Sequence, residues 1–461
     1  MAENNENSPM TLGTKPIGKL LLQYSVPAVI ASVVTSLYNI IDSIYIGRGV
    51  GAMAIAGLAI TFPLMNLVIA FCTVIAVGGS TISSIYLGQK NISKANETAN
   101  SVVVLSLIHS IVFGGLTLIF LDEILYFFGA TNETISYARD FMQVILYGTP
   151  ISYLFIVLNN MMRATGYPKK AMYSALLSVL VNVSLAPLFI FQFKWGIKGA
   201  ALATICGQFV GFIWVMHHFM SHKSFVHIDK KNKWLIPSII KRMYAIGLSP
   251  FLMNVCACIV VIFINGALLK TGGENGNLAV GSYGIVNRTA MLFVMVVFGV
   301  TQGMQPILGF NYGANQWHRV KRTLKIGIWL GMIITTIGVL LAELAPNQIS
   351  ALFTEDTTLI DIAQNGFKIS MMFFTVVGAQ IIIQNFFQSI GSPNISIFLS
   401  LTRQLLFLIP TLLVLPAWLG INGVWLSLAV SDMLAFIVAA ITLAILLKRQ
   451  DKHFSSLNIN S

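Results

Sequence analysis

The sequence predicts an all-α membrane protein: twelve transmembrane helices in two pseudo-symmetric six-helix bundles. Three observations predict it. The 461-residue chain is 56% hydrophobic and only 10% charged. Soluble domains carry about 25% charged residues, so lipid must be the solvent for most of this surface. Apolar runs long enough to cross a bilayer, about 20 residues each, recur between polar breaks. The two halves also match each other at a nearly constant offset of 223–225 residues.

The elements follow in order. The polar N-terminal tail, 1–16, lacks the charged start and small-residue cleavage site of a signal peptide, so the first apolar run is a retained span. The N-terminal bundle, 17–220, holds runs at 17–46, 54–80, 97–121, 136–158, 169–191 and 197–220. The most polar interior segment, 221–239, is read as a solvated, basic linker on the cytoplasmic membrane surface. The C-terminal bundle, 240–447, holds runs at 240–270, 278–308, 323–343, 361–390, 394–416 and 420–447, and a tail, 448–461, follows. Runs near 30 residues are expected to tilt, or to break at Pro27, Pro250 and Pro306.

Charge sets the orientation. Of 28 Lys and Arg, Arg48, Arg139, Lys194, Lys198 and Lys270 fall in segments on one side, and Arg288, Lys368 and Arg403 fall in spans. The other twenty lie on the opposite side. The bias places both termini in the cytoplasm of a multi-pass protein of the cell inner membrane. The net charge of +12 then reflects an anionic membrane face, not a nucleic-acid partner. Cys72, Cys206, Cys256 and Cys258 all lie in apolar runs, with no zinc or redox spacing.

The repeat appears as five blocks in one order. Pro27 pairs with Pro250, and Gly78 and Gly88 with Gly303 and Gly313. Phe128, Ile135 and Ala138 pair with Phe353, Ile360 and Ala363. Asn160 and Gly166-Tyr167-Pro168 pair with Asn385 and Gly391-Ser392-Pro393, and Trp195-Gly196-Ile197-Lys198-Gly199 with Leu419-Gly420-Ile421-Asn422-Gly423. An even number of spans per half gives parallel repeats, the arrangement of transporters that open and close a cavity by rocking one bundle against the other.

These motifs resemble the MATE family, multidrug and toxic compound extrusion transporters, over essentially the whole chain. The resemblance lies in Leu12-Gly13-Thr14-Lys15-Pro16 with Ser25-Val26-Pro27, in Tyr38-Asn39-Ile40-Ile41-Asp42, in Arg163-Ala164-Thr165-Gly166-Tyr167-Pro168, and in Gln302-Gly303-Met304-Gln305-Pro306 through Gly313. It implies two six-helix bundles around a central cavity and antiport of lipophilic or cationic compounds against H⁺ or Na⁺. No resident cofactor is expected, and the protein is expected to act as a monomer among membrane lipids.

Asp42 is the principal candidate residue. It stands in an apolar run with no basic residue at helical spacing. A carboxylate at mid-membrane costs about 2.5–3.5 kcal/mol on insertion scales, so it calls for a proton, a cation or a polar cavity. Desolvation disfavours the charged form and suits a proton carrier, whereas oxygen neighbours suit an alkali cation. The alternative is an interfacial residue hydrogen-bonded at a helix end. The duplicate position, Asn265, is a neutral amide, which assigns any coupling site to the N-terminal bundle. The resemblance implies that Asn182 and Thr204 face Asp42, and Tyr38 and Asn39 of the same first-helix motif join them as cation-coupling candidates. The family's second acid, just before Pro187, is replaced here by Ala186, which tilts the reading towards H⁺.

Further expectations concern the second half. Gln302, Gln305 and Asn265 are possible cavity-lining amides, Pro27 and Pro250 are possible helix hinges, and Arg403 with Asp432 is read as a structural ion pair. No phosphate-cradling loop, nucleophile elbow or helical zinc motif is present, so the chain is not read as an enzyme, and no metal site is expected. A flippase for a lipid-linked substrate is the alternative function. It would want more intramembrane cations than Arg288, Lys368 and Arg403.

Overall fold

The computed structural model describes residues 10–221, 224–229 and 231–459. Residues 1–9 of the N-terminal tail and Lys223 and Lys230 of the linker lie outside the described residues, as do the side chain of Asn39 and those of the C-terminal tail beyond residue 450. Every regular element among the described residues is helical.

Among the described residues, nine helical stretches are long and apolar enough to cross a membrane. One of them, Pro237–Gly313, runs for 77 residues, about 115 Å at 1.5 Å per residue and far more than one hydrocarbon core. A short 3₁₀ turn at Gly273–Asn275 divides it into Pro237–Gly272 and Gly276–Gly313, two crossings. Two helix pairs, Ile135–Tyr147 with Thr149–Ala164 and Thr357–Ser370 with Phe374–Ser389, each make one crossing, bent by 58° and 57° respectively. The result is twelve crossings among the described residues, in the order read from hydropathy. Large apolar side chains on them, such as Leu22, Ile40, Phe62, Ile111 and Ile445, are exposed, as a lipid solvent allows.

Three interior prolines lie within unbroken helix. The first span (Ile17–Gly49), the seventh (Pro237–Gly272) and the eighth (Gly276–Gly313) continue as helix through Pro27, Pro250 and Pro306. Each proline removes one backbone donor, a loss that membrane helices tolerate when neighbouring groups satisfy the freed carbonyl. Prolines instead open helices at Pro168 and Pro393, where the missing N–H would have no partner anyway.

The repeat reaches the backbone. Gly166 and Gly391 both hold positive φ, 108° and 72°, a left-handed region that only glycine enters without strain. Gly196 and Gly420 share it at 55° and 58°, and Lys90 and Asn315 both stand at 58°. A π-helical stretch follows Pro187 at Leu188–Gln192, late in the fifth span, and another occupies Thr402–Leu408 within the eleventh.

The described chain forms two compact units. The first comprises the N-terminal segment to Pro16 with Val26–Phe251 and Gly309–Ala314. Tyr153, Phe219, Ile75 and Met162 lie in its core. Tyr153 donates to the Val68 carbonyl at 2.8 Å, and Asn159 Nδ2 to Ser174 Oγ at 2.7 Å. The described part of the linker is docked here: Asn100 Nδ2 donates to the Asp229 carbonyl at 2.8 Å, and the His227 N–H donates to Asn96 Oδ1 at 2.9 Å. The second unit comprises Ile17–Ser25, Leu252–Leu308 and Asn315–Ser461. Trp425, Phe367, Phe386 and Phe387 are buried in it. Thr335 Oγ1 donates to the Thr375 carbonyl at 2.8 Å, joining its ninth span (Trp317–Leu344) to the tenth.

Candidate functional site

The first span carries Tyr38 and Asp42 four residues apart, and so on one helical face. Asp42 is 7% exposed, and its Oδ1 is buried without a hydrogen-bond partner. Tyr38 reaches the sixth span (Gly196–Met220), where its hydroxyl lies 3.0 Å from Thr204 Oγ1. From the fifth span (Pro168–Pro187), Asn182 Nδ2 donates to the same oxygen at 3.0 Å.

Thr204 has one hydroxyl proton, and the Ala200 carbonyl 3.2 Å away accepts it in one arrangement. In that arrangement the Thr204 oxygen accepts from both Asn182 and Tyr38. Three spans are thus joined at one hydroxyl, on the helical face that carries the Asp42 carboxyl. Packing brings them close. A Cβ on Gly207 would collide with the Ser178 carbonyl and crowd the Asn182 Cβ, and one on Gly49 would collide with Ile190 and Phe191 of the π-helical stretch. Ala186, one turn beyond Asn182, is fully buried. A methyl group occupies the position where the resemblance implies an acid.

The remaining sequence candidates are placed as follows. Asn39 is in the first-span helix, with its side chain outside the described residues. Asn265 Oδ1 is buried without a partner, as Asp42 Oδ1 is. Gln302 and Gln305 lie half-buried in the eighth span. Arg403 Nε donates to Asp432 Oδ1 at 2.6 Å, with side chains 34% and 4% exposed.

The second unit contains a partly open pocket of about 290 Å³ that the Arg403–Asp432 pair lines together with Gln380, Gln384 and Gln404. Asn265, Gln302 and Gln305 are not among its lining residues. Sequence reasoning missed Gln380 and Gln384. The signal was present: Gln380, Gln384 and Gln388 recur every four residues, one polar stripe along an apolar helix.

A multi-pass helical protein with a duplicated chain and a buried carboxyl in its first span belongs to the class of membrane transporters built from repeats. The comparisons narrow that class. The MatE family model matches residues 27–188 and 245–413, so the chain belongs to the MatE family. The multidrug export protein MepA of Staphylococcus haemolyticus (strain JCSC1435) is 26% identical over 423 residues, covering 92% of each chain. MepA of Staphylococcus aureus (strain N315) is 25% identical over 438 residues, covering 94% of this chain and 95% of that one. A crystal structure of MATE in the bent conformation superposes with a TM-score of 0.91 at 24% identity, over 97% of this chain and 99% of that one.

Proposed function

We propose that the protein is a secondary-active exporter of lipophilic and cationic compounds, coupled at Asp42 to entry of H⁺ or Na⁺ from outside. The observation that carries the reading is the buried carboxyl of Asp42, whose Oδ1 has no partner. An unpaired buried charge is too costly to keep unless its neutralisation does something. The names of the MepA relatives, multidrug export proteins, support the substrate class.

In the mechanism we propose, a cation arriving from outside neutralises Asp42. The first span then repacks around Pro27 against the Tyr38–Thr204–Asn182 cluster, and the bound compound is displaced outward. Pro250 serves as the matching hinge in the other half. H⁺ is the preferred ion because Ala186 leaves the site without a second acid; Na⁺ ranks next. The driving force is the ion gradient, about 2.3 kcal/mol per charge per 100 mV. The protein acts as a monomer in the cytoplasmic membrane with both termini inside, as the Lys and Arg bias suggests.

Dye efflux from everted vesicles tests this, comparing collapse of the proton gradient with removal of Na⁺. Asp42→Asn is expected to insert and accumulate normally while losing ion-driven efflux. Full coupling in that variant would remove Asp42 from the mechanism.

A further inference from the structure

The second, third and seventh spans leave a partly open groove of about 320 Å³ on the first unit. Phe71 and Val74 come from the second span (Ala52–Gly88), His109 from the third (Ile92–Ile119), and Tyr244, Ala245, Leu248 and Phe251 from the seventh. Among the described residues, His109 and Tyr244 are its only polar lining side chains. They bond to each other: the Tyr244 hydroxyl lies 2.6 Å from His109 Nε2. The surface that remains is apolar almost throughout. At the rim, Leu248 and the neighbouring Ile108 are exposed, so the groove is continuous with the surface that meets lipid.

Close packing fixes the groove's shape. A Cβ on Gly78 would collide with the Met243 carbonyl, and one on Gly247 with that of Val74, so the second and seventh spans meet backbone to backbone alongside it. The Phe71 ring lies 4.4 Å from that of Phe113 and 4.9 Å from that of Phe251. The seventh span gives the groove an axis. Lys241, Tyr244, Ala245, Leu248 and Phe251 share one helical face. Lys241 is exposed and takes part in no ion pair among the described residues. From Lys241 to Phe251 the helix rises about 15 Å at 1.5 Å per residue, half of a hydrocarbon core of about 30 Å. The face therefore runs from a cation at the polar boundary to the middle of the bilayer, which is the reach of one acyl chain below its headgroup.

We propose that this groove holds one acyl chain of an anionic phospholipid, with the headgroup phosphate at Lys241. The chain lies along Ala245, Leu248 and Phe251 against Phe71 and Val74, where it covers apolar surface and strands no polar atom. The Lys241 ammonium selects by charge, because a zwitterionic lipid brings an ammonium of its own that competes for the phosphate. The leaflet is the anionic one, which the Lys and Arg bias assigns to the cytoplasm. The bound chain holds the first turns of the seventh span against the second and third. The site takes its leaflet from the orientation proposed above and makes no use of Asp42.

The test uses the full chain, purified in detergent and stripped of lipid, and two probes with the same acyl chains, dioleoylphosphatidylglycerol and dioleoylphosphatidylcholine. Native mass spectrometry should show the first lipid bound about fivefold tighter when it is phosphatidylglycerol, the preference that one lysine supplies at an anionic surface. Lys241→Gln should remove that preference and leave phosphatidylcholine binding unchanged. Ala245→Trp, on the groove wall, should displace the chain and lose the tightly held lipid of either class. A phosphatidylglycerol with a photoreactive diazirine midway along one chain should label peptides carrying Phe71, His109 or Leu248. Should the variants fail to accumulate, the lipid pair and the photolabel on the unaltered chain decide. Equal retention of the two lipids, a preference that survives Lys241→Gln, or labelling confined to other helices overturns the proposal, because each describes nothing more than the lipid layer around any membrane protein.

Discussion

Replacing Arg403 by leucine should be the more damaging way to break the ion pair it forms with Asp432. The pair is short, 2.6 Å, but unequal in burial: the Asp432 side chain is 4% exposed and that of Arg403 34%. Removing Arg403 strands a carboxylate in apolar surroundings. Breaking a buried pair costs about 3–5 kcal/mol, and the partial exposure of Arg403 argues for the lower end. Removing Asp432 leaves a guanidinium that water in the cavity can reach, so Asp432→Leu should cost less. The double replacement should return to within about 1 kcal/mol of the parent, because paired charges and an apolar pair of similar volume are often equivalent. Thermal inactivation in detergent, followed as loss of the monodisperse gel-filtration peak, measures this. About 3 kcal/mol corresponds to a fall of roughly 6 °C or more for a unit of about 200 residues. A single Arg403→Leu variant as stable as the parent, or a double variant worse than either single one, would refute the reasoning.

Other outcomes follow from the same geometry. Thr204→Val leaves Tyr38 and Asn182 without their shared acceptor and should cost about 1–3 kcal/mol, read as a lower inactivation temperature. Gly88→Val drives a side chain into the Phe310 carbonyl; little folded protein should accumulate in the membrane fraction, whereas Gly115→Val, with open space around it, should accumulate normally. Arg139 makes two bonds of 2.6 Å to Asp122, but both side chains are more than a third exposed; Arg139→Ala should shift inactivation by no more than about 1 kcal/mol and less in high salt.

Much of the architecture was legible along the chain. Hydropathy reports the solvent each segment meets, so the twelve crossings could be read directly. The repeat could be read because positions that need glycine or proline recur where the backbone recurs, as Gly166-Tyr167-Pro168 and Gly391-Ser392-Pro393 do. Asp42 stood out because an acid in an apolar run is costly wherever the run packs. The two helix breaks, at Gly148 and around Met371–Phe373, could not be read along the chain. Bending depends on what neighbouring helices can satisfy, and local sequence carries little of that.

The sequence by itself determined the solvent, the number of crossings, the duplication and the lone acid of the first span, because each follows from residue type and spacing along one helix. Only the tertiary structure decided that Tyr38 and Asn182 share the hydroxyl of Thr204, that Arg403 meets Asp432, and that Gln380 and Gln404 open on one cavity. Those meetings depend on how each helix is rotated and crossed against its neighbours. Rotation is set by close packing of side chains far apart in the sequence, which no single stretch of the chain encodes.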